Sequence, residues 1–289
     1  MSVLSENEKQ SFEYYSGPEF TDVQEEDPGA PEPAETGRIF CIPAEDGYGL
    51  NMSFGEKAAR ISYRIVEILV SLTVLIVSLP VMLVLAVIIK FESPGPALFF
   101  QDRCARSRLR LGRDIIGKGD YTIVDPHFDP DKRYWVPATF RFVKFRSMYA
   151  DAKERFPELY DYNYSEEEID RIAFKVPDDP RITRFGEWLR KSTLDEVPNF
   201  WNVLTGDMRL VGPRPEIPEM LVNYRAGQMR KFTVKPGITG LPQINGRGRL
   251  SFRKTVAFDL EYVEKKSVAL DIKIIVMTIW RVITKHGAF

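Results

Sequence analysis

The sequence predicts an α+β, largely helical chain with a small β element and a proline-broken apolar helix that enters a membrane. Residues Ile68–Ile89 form a run of 22 without a charged side chain. Apolar residues in the second half recur mostly at helical spacing, and a stretch from Arg141 to Arg146 reads as a strand. With 289 residues, the chain suits one substantial domain plus attachments, or at most two ordinary ones. Its 44% apolar and 28% charged residues exclude a wholly disordered, collagen-like or disulfide-scaffold protein.

The net charge of −1 conceals an asymmetry. Residues 1–55 hold 12 Asp and Glu against Lys9 and Arg38, which leaves 38 basic and 29 acidic residues in the rest. The acidic stretch carries Pro28, Pro31 and Pro33 and too little apolar surface to offset chain entropy, so it is expected to be a disordered tail. The basic body suits phosphates, nucleotides or lipid headgroups.

Residues 56–92 are the expected membrane helix. About 20 apolar residues cross a bilayer, and this run is apolar on every face. Lys57, Arg60 and Arg64 precede it, and Lys90, Arg103, Arg106, Arg108, Arg110 and Arg113 follow. Both flanks are positive, which favours keeping both on the cytoplasmic side. Pro80 deletes one helical hydrogen bond and frees the Ile76 carbonyl, and the Ser78 hydroxyl is placed to help at such a bend. Two half-helices of about 15 Å could enter one leaflet and return; a kinked spanning helix is the alternative.

Residues 93–289 follow, opened by Ser93-Pro94-Gly95-Pro96. An insertion is expected near 104–140, where the run from Asp120 to Tyr134 is irregular and rich in Asp and Pro. Arg141 to Arg146 reads as a strand presenting its cations on one face, with a solvated edge strand as the plain interpretation. Ser165 and Glu168 form a capping pattern, and Arg181 to Lys191 continues as a basic segment packing Trp188 and Leu189. Leu194, Val197, Trp201 and Leu204 share one helical face that should pack inward. With Thr193 as N-cap, Asp195 and Glu196 fall in the first turn, where the positive dipole end favours carboxylates. The same place would hold a carboxylate ionised beside a metal and phosphates, as a nucleophile or ligand.

Other chemistries are short of residues. Cys41 and Cys104 match no zinc spacing, and His127 and His286 cannot build a multi-histidine site, so a nucleophile or base is expected to be a carboxylate. In Gly212-Pro213-Arg214-Pro215-Glu216 two prolines hold Arg214 extended, either as a rigid turn or as a two-point phosphate clamp. Lys235 to Gly248 sets four glycines among polar residues, a loop that lets backbone N–H groups approach an anion. Neither GxxxxGK[ST] nor GxGxxG occurs there.

The apolar segment with its central proline, then KFRSM, DPRITRFG, STLDEVPNFWNVLTGDM, LVGPRPEIPEM, VKPGITGLPQINGRG and FDLEYV, resembles the monotopic phosphoglycosyl transferases of the bacterial sugar transferase family. The resemblance runs from about Ile61 to Val282 and looks like a short form of that family. It implies that Asp195 and Glu196 are the catalytic dyad, with Asp195 attacking the sugar-bearing phosphate of a nucleoside diphosphate sugar, probed first as a UDP-sugar. Polyprenyl phosphate would then take the phosphosugar. Lys144, Arg214 and Arg247 match phosphate-handling cations, and Asp259 and Asp271 match further active-site acids. Mg2+ is implied as cofactor, with Asp195 as a ligand, and Ser78 and Pro80 form the membrane bend, although Leu79 stands where the family often has serine. The implied setting is the cytoplasmic face of a bacterial inner membrane, with lipid partners, no nucleic acid, and homo-oligomers left open. The C-terminal stripe of Ile272, Ile275, Val276, Ile279, Trp280 and Ile283 suits an amphipathic interfacial helix or an ordinary core helix. Transfer of the sugar without its phosphate, or a noncatalytic membrane adaptor, are the alternative functions.

Overall fold

The computed structural model describes residues 38–39, 42–43, 54–115, 122–123, 129–172, 176, 178–246 and 250–284. In chain order the elements are β1 (Arg38–Ile39), β2 (Ile42–Pro43), α1 (Phe54–Glu92), β3 (Leu98–Leu111), β4 (Thr122–Ile123), β5 (Arg133–Phe145), α2 (Ala152–Arg155), α3 (Glu166–Arg171), α4 (Arg184–Ser192), α5 (Asn199–Thr205), β6 (Arg209–Val211), β7 (Gly237–Thr239), α6 (Leu241–Asn245), α7 (Phe252–Lys265) and α8 (Val268–Thr284). Helix dominates and the sheets are small, as expected. Within the acidic stretch 1–55, β1 pairs in parallel with β4, and β2 pairs antiparallel with Tyr134–Trp135 of β5. The remainder of that stretch up to Ser53 lies outside the described residues.

The region expected as an insertion is largely a long antiparallel ribbon. Leu98 pairs with Phe145 and Leu111 with Arg133, with a bulge between Cys104 and Ser107. The strand signal was missed at 104–111 because arginines occupy the outward positions and hide the alternation. The stretch Arg141–Phe145 of β5 is an edge of its sheet, as expected, since β2 meets β5 only at Tyr134–Trp135, but Asn202 covers that edge instead of leaving it solvated. Its cations also do not share a face: strand geometry sends Arg141 to the side opposite Lys144, because Val143 breaks the polar alternation.

Helix α1 is 39 residues long and passes through Pro80 without a break in helical assignment, rather than as two separate half-helices. At 1.5 Å per residue its path is about 58 Å, nearly twice a hydrocarbon core. The Ser78 hydroxyl donates to the Val74 carbonyl at 2.6 Å, two residues before the carbonyl that the proline frees. Apolar side chains from Leu72 to Val84 are largely exposed, while each arm packs on the folded body. On the first arm, Arg64 donates to Val203 and Leu204 carbonyls at 2.6 and 2.9 Å, capping the C-terminal end of α5. Glu67, 1% exposed, accepts from the Leu210 N–H at 3.1 Å and faces Arg209 at 3.4 Å. On the second arm, Leu85 and Ile89 pack with Phe145 and Leu189. Glu92 accepts from the Thr183 hydroxyl at 2.7 Å and the Phe185 N–H at 2.5 Å.

Arg146 completes that second attachment. Its buried guanidinium donates to the carbonyls of Pro94 at 2.7 Å, Ser93 at 2.8 Å and Ile89 at 3.3 Å, closing the C-terminal end of α1. The other end of the fold rests on close backbone contact. A Cβ on Gly237 would sit 2.0 Å from the Gly212 nitrogen, so the parallel β6–β7 pair requires glycine there. The Gly237 N–H donates to Pro213 and the Gly212 N–H to Thr239, both at 2.9 Å. These amides are therefore consumed by the fold and are not offered to an anion.

Replacing Arg146 with Met keeps the stem but removes the donors for two buried-side carbonyls. The expected loss is about 3 kcal/mol, or roughly 6–12 °C of melting temperature in detergent for a domain of this size. An unchanged melting temperature would mean that water replaces the guanidinium without loss.

Candidate active site

The two acids sit in a turn, not in a helix. α4 starts on the Thr183 hydroxyl, which accepts from the Gly186 N–H at 3.0 Å, and it stops at Thr193, whose φ of 62° is left-handed. A β-branched residue is costly in that region, about 1–2 kcal/mol, and it sits two residues before Asp195. Leu194–Glu196 then form a single 3-10 turn, and α5 begins only at Asn199. Thr193 gives no side-chain cap to Asp195 or Glu196, contrary to expectation, because it closes the preceding helix instead. The expected inward face also shifts: Trp201 is 56% exposed, while Asn199, Asn202 and Val203 are buried. Asn202 accepts from the Val143 N–H at 3.1 Å and donates to the Arg141 carbonyl at 2.9 Å, fastening α5 to β5.

That fastening builds a small cleft, partly open to solvent. Glu196 lines it from the turn, Asn199 from the start of α5, Arg103 and Lys144 from the two long strands, Arg214 from the proline-flanked loop and Gln243 from α6. Asp195 is buried, at 6% exposure, within electrostatic reach of Lys144, Arg190 and Glu196. Burial, then the neighbouring Glu196 charge, pushes its carboxyl up to about 6, against the pull of Lys144 and Arg190. Lys144 is pushed down to about 8 by burial, with Asp195 opposing. Burial lowers Arg190 too, and its Nε donates to the Ser147 hydroxyl at 2.9 Å. Arg103 falls to about 10, chiefly through burial and then through the like charge of Arg214, outweighing the attraction of Glu216. A carboxylate dyad is thus surrounded by cations held close together, an arrangement that binds a multiply charged anion.

The fold therefore brings Glu196, Lys144 and Arg214 to one cleft, with Asp195 buried beside Lys144 and Glu196 rather than lining it. Asp259 is one layer behind: fully buried, it accepts from the Arg214 N–H at 3.2 Å and faces the Lys231 ammonium at 3.0 Å. Asp271 is elsewhere, accepting from the Tyr262 hydroxyl at 2.8 Å under β6. Neither lines the cleft. Arg247 lies outside the described residues. Ser78 and Pro80 lie in the exposed apolar middle of α1. Arg103, Arg190 and Asn199 were missed. Arg103 read as one more cation of the membrane flank, and only its pairing opposite Phe140 shows that it faces the same cleft as Lys144.

The family described as bacterial sugar transferase matches residues 58–111 and 131–285. A galactosyl transferase, CpsE of Streptococcus agalactiae serotype III (strain NEM316), is 34% identical over 251 residues, 86% of this chain and 48% of that protein. The exopolysaccharide production protein ExoY of Sinorhizobium fredii (strain NBRC 101917 / NGR234) is 32% identical over 250 residues, 86% of this chain and 95% of its own length. The UDP-glucose:undecaprenyl-phosphate glucose-1-phosphate transferase of Escherichia coli (strain K12) is 33% identical over 238 residues, 80% of this chain and 42% of that protein. The chain thus spans about half or less of the first and third of these relatives, and nearly all of the second.

Proposed function

We propose, from the premise that the chain belongs to the bacterial sugar transferase family, that it transfers a sugar-1-phosphate from a UDP-sugar to undecaprenyl phosphate. The reading rests on one observation: a buried Asp195 with a raised pKa stands beside Glu196, Lys144 and Arg190, and Glu196 and Lys144 line a cleft together with Arg103 and Arg214. A relative named as a UDP-glucose:undecaprenyl-phosphate glucose-1-phosphate transferase supports the same substrate classes.

In this mechanism the Asp195 carboxylate attacks the sugar-bearing phosphorus. The bond to the bridging oxygen breaks, UMP leaves with that electron pair, and a phosphosugar remains on the aspartate. An oxygen of undecaprenyl phosphate then attacks the same phosphorus and returns the carboxylate. Neither displacement requires a proton from the protein, so the dominant demand is neutralisation of phosphate charge. Lys144, Arg190, Arg103 and Arg214 meet it from fixed positions. With an apparent pKa of about 6, Asp195 is roughly nine-tenths ionised at pH 7 and is poorly solvated, which suits a nucleophile.

Mg2+ is proposed as cofactor. Among the described residues no group of three or more His, Cys, Asp or Glu could hold a metal. The adjacent oxygen donors of Asp195 and Glu196 still fit Mg2+, which needs only one or two carboxylates when substrate phosphates and water complete its shell. When bound it would offset charge on those phosphates. Asp195 and Glu196 would hold it.

The proposed setting is the cytoplasmic face of an inner membrane, with α1 re-entering one leaflet. In support, Arg64 and Glu67 on one arm and Ile89 and Glu92 on the other all attach to the same folded body, while the bend between them is bare and apolar. A straight span would carry its ends about 30 Å apart on opposite sides. α8 adds a second apolar surface: Ile274 is buried, whereas Ile272, Val276, Ile279, Trp280 and Ile283 are exposed, the pattern of a helix lying at the headgroup boundary.

The reaction is tested with donor labelled in its sugar and no lipid acceptor. Wild-type protein should acquire label in the peptide containing Asp195 and release UMP, whereas Asp195→Asn should do neither. Release of UDP would identify transfer of the sugar without its phosphate. Absence of label after rapid quenching, with intersecting initial-rate lines, would replace the covalent step by direct transfer. The kcat/KM profile should be bell-shaped, rising through about pH 6 as Asp195 ionises and falling through about pH 8 as Lys144 loses its proton. A flat profile from pH 5 to 9 would remove both groups from the rate-determining chemistry. For topology, single cysteines at Ser53 and Ser93, in a chain with Cys41 and Cys104 replaced by Ala, should both resist an impermeant label in intact cells. Labelling of one alone would establish a spanning helix.

A further inference from the structure

The segment that carries Arg214 is gripped by a buried ionic network that the proposed mechanism does not use. Lys231 is 2% exposed, Glu216 3%, Tyr224 1% and Asp259 0%. The Lys231 ammonium lies 3.0 Å from Asp259, donates to the Tyr224 hydroxyl at 2.8 Å and stands 3.5 Å from Glu216. The Tyr224 hydroxyl in turn donates to Glu216 at 2.9 Å. Three successive residues of the proline-flanked segment are tied to this layer or to β3. The Arg214 N–H donates to Asp259 at 3.2 Å, the Pro215 carbonyl accepts from Arg103 at 3.3 Å, and the Glu216 carbonyl accepts from the Cys104 N–H at 2.7 Å.

One ammonium thus faces two buried carboxylates. Such a cluster is an expensive way to gain stability, since desolvating charges offsets most of their attraction, but it tolerates little movement of its members. Its geometry is passed directly to Arg214 through Asp259, and to Arg103 through the Pro215 carbonyl. Arg103 and Arg214 are like charges lining the same cleft, and Glu216 offsets part of their repulsion at Arg103.

We infer that Lys231 is a positioning residue: by tying Asp259, Glu216 and Tyr224 together it fixes the segment on which Arg214 and Arg103 converge, and so sets the spacing of two guanidiniums for a diphosphate. The inference rests on reading the cleft as the donor-phosphate site, and it deepens that reading by naming what holds the clamp in register. Lys231 itself does not line the cleft.

The test uses the full chain in detergent, with Lys231→Met and Lys231→Arg. Amide hydrogen exchange should accelerate in peptides covering residues 212–217 in Lys231→Met, while Lys231→Arg, which restores a cation, should return most of the protection. Binding of UDP should weaken about tenfold in Lys231→Met, and in an Arg214→Ala background the same change should cost less than about threefold, the coupling expected when one residue acts through another. Unchanged exchange at 212–217 overturns the inference, as does an additive cycle, which would make Lys231 a structural residue. Should Lys231→Met fail to fold, Tyr224→Phe deletes one hydroxyl of the network and keeps the ring; unaltered exchange at 212–217 in that variant overturns the inference equally. If wild-type protein binds no UDP, the donor-phosphate reading fails, and the exchange measurement still decides whether Lys231 holds the segment.

Discussion

The contact of Arg146 with the last carbonyls of α1 is the interaction on which most of this structure depends. A helix that leaves an apolar phase ends with carbonyls that have lost their partners. Here a buried guanidinium donates to the Ile89 carbonyl in the last turn of α1 and to the Ser93 and Pro94 carbonyls just beyond it, and it is carried just past β5, two residues beyond the cleft lysine. The strand that presents Lys144 to the cleft is therefore the strand that holds the membrane helix. Arg64 performs the reciprocal operation, reaching from the first arm of α1 to the last carbonyls of α5, the helix that follows the dyad. Anchor and chemistry share their supports, so the distance from the dyad to the apolar bend is set by covalent geometry and two caps rather than by a linker.

The second constraint is desolvation. Asp195 and Lys144 are driven in opposite directions by the same dry surroundings, the acid up to about 6 and the base down to about 8. Each still finds its counter-charge, which keeps both ionised near neutrality. A more exposed aspartate would be fully ionised but hydrated and less reactive; one buried without Lys144 and Arg190 would be protonated. The left-handed Thr193 is part of this arrangement. It ends α4 abruptly, so the dyad occupies a short turn whose side chains can be directed inward between α4 and α5.

Behind the cleft the fold spends its backbone hydrogen bonds on itself. The Gly212–Gly237 contact is so close that no side chain fits, and the amides there bond each other's loops. The positive charge at the cleft comes from side chains on separate segments, Arg103 on β3, Lys144 on β5 and Arg214 on the proline-flanked loop, with Arg190 of α4 beside Asp195. Their convergence requires the ribbon, α4 and the buried Lys231 layer to be in place together.

The sequence by itself determined the long apolar helix, the helical character and the capping box at Ser165, and its resemblance to a family singled out Glu196, Lys144 and Arg214, which the fold brings to one cleft. Those features are local: an uncharged run, a period, a cap, or a motif in which rigid prolines flank a cation. Three-dimensional packing decided what local pattern cannot carry. Arg103 and Arg190 looked like ordinary basic residues, because a cation's role depends on which carboxylate faces it across the fold. Trp201 looked like core and lies exposed, because α5 turns Asn199, Asn202 and Val203 inward instead. The arginine-rich strand at 104–111 was hidden because its pairing with β5 is long-range, and Asp259 and Asp271 separated into different layers because burial is a property of neighbours distant in sequence. Charges written along a chain give its chemistry, and only their desolvation and mutual distances in the fold give its reactivity.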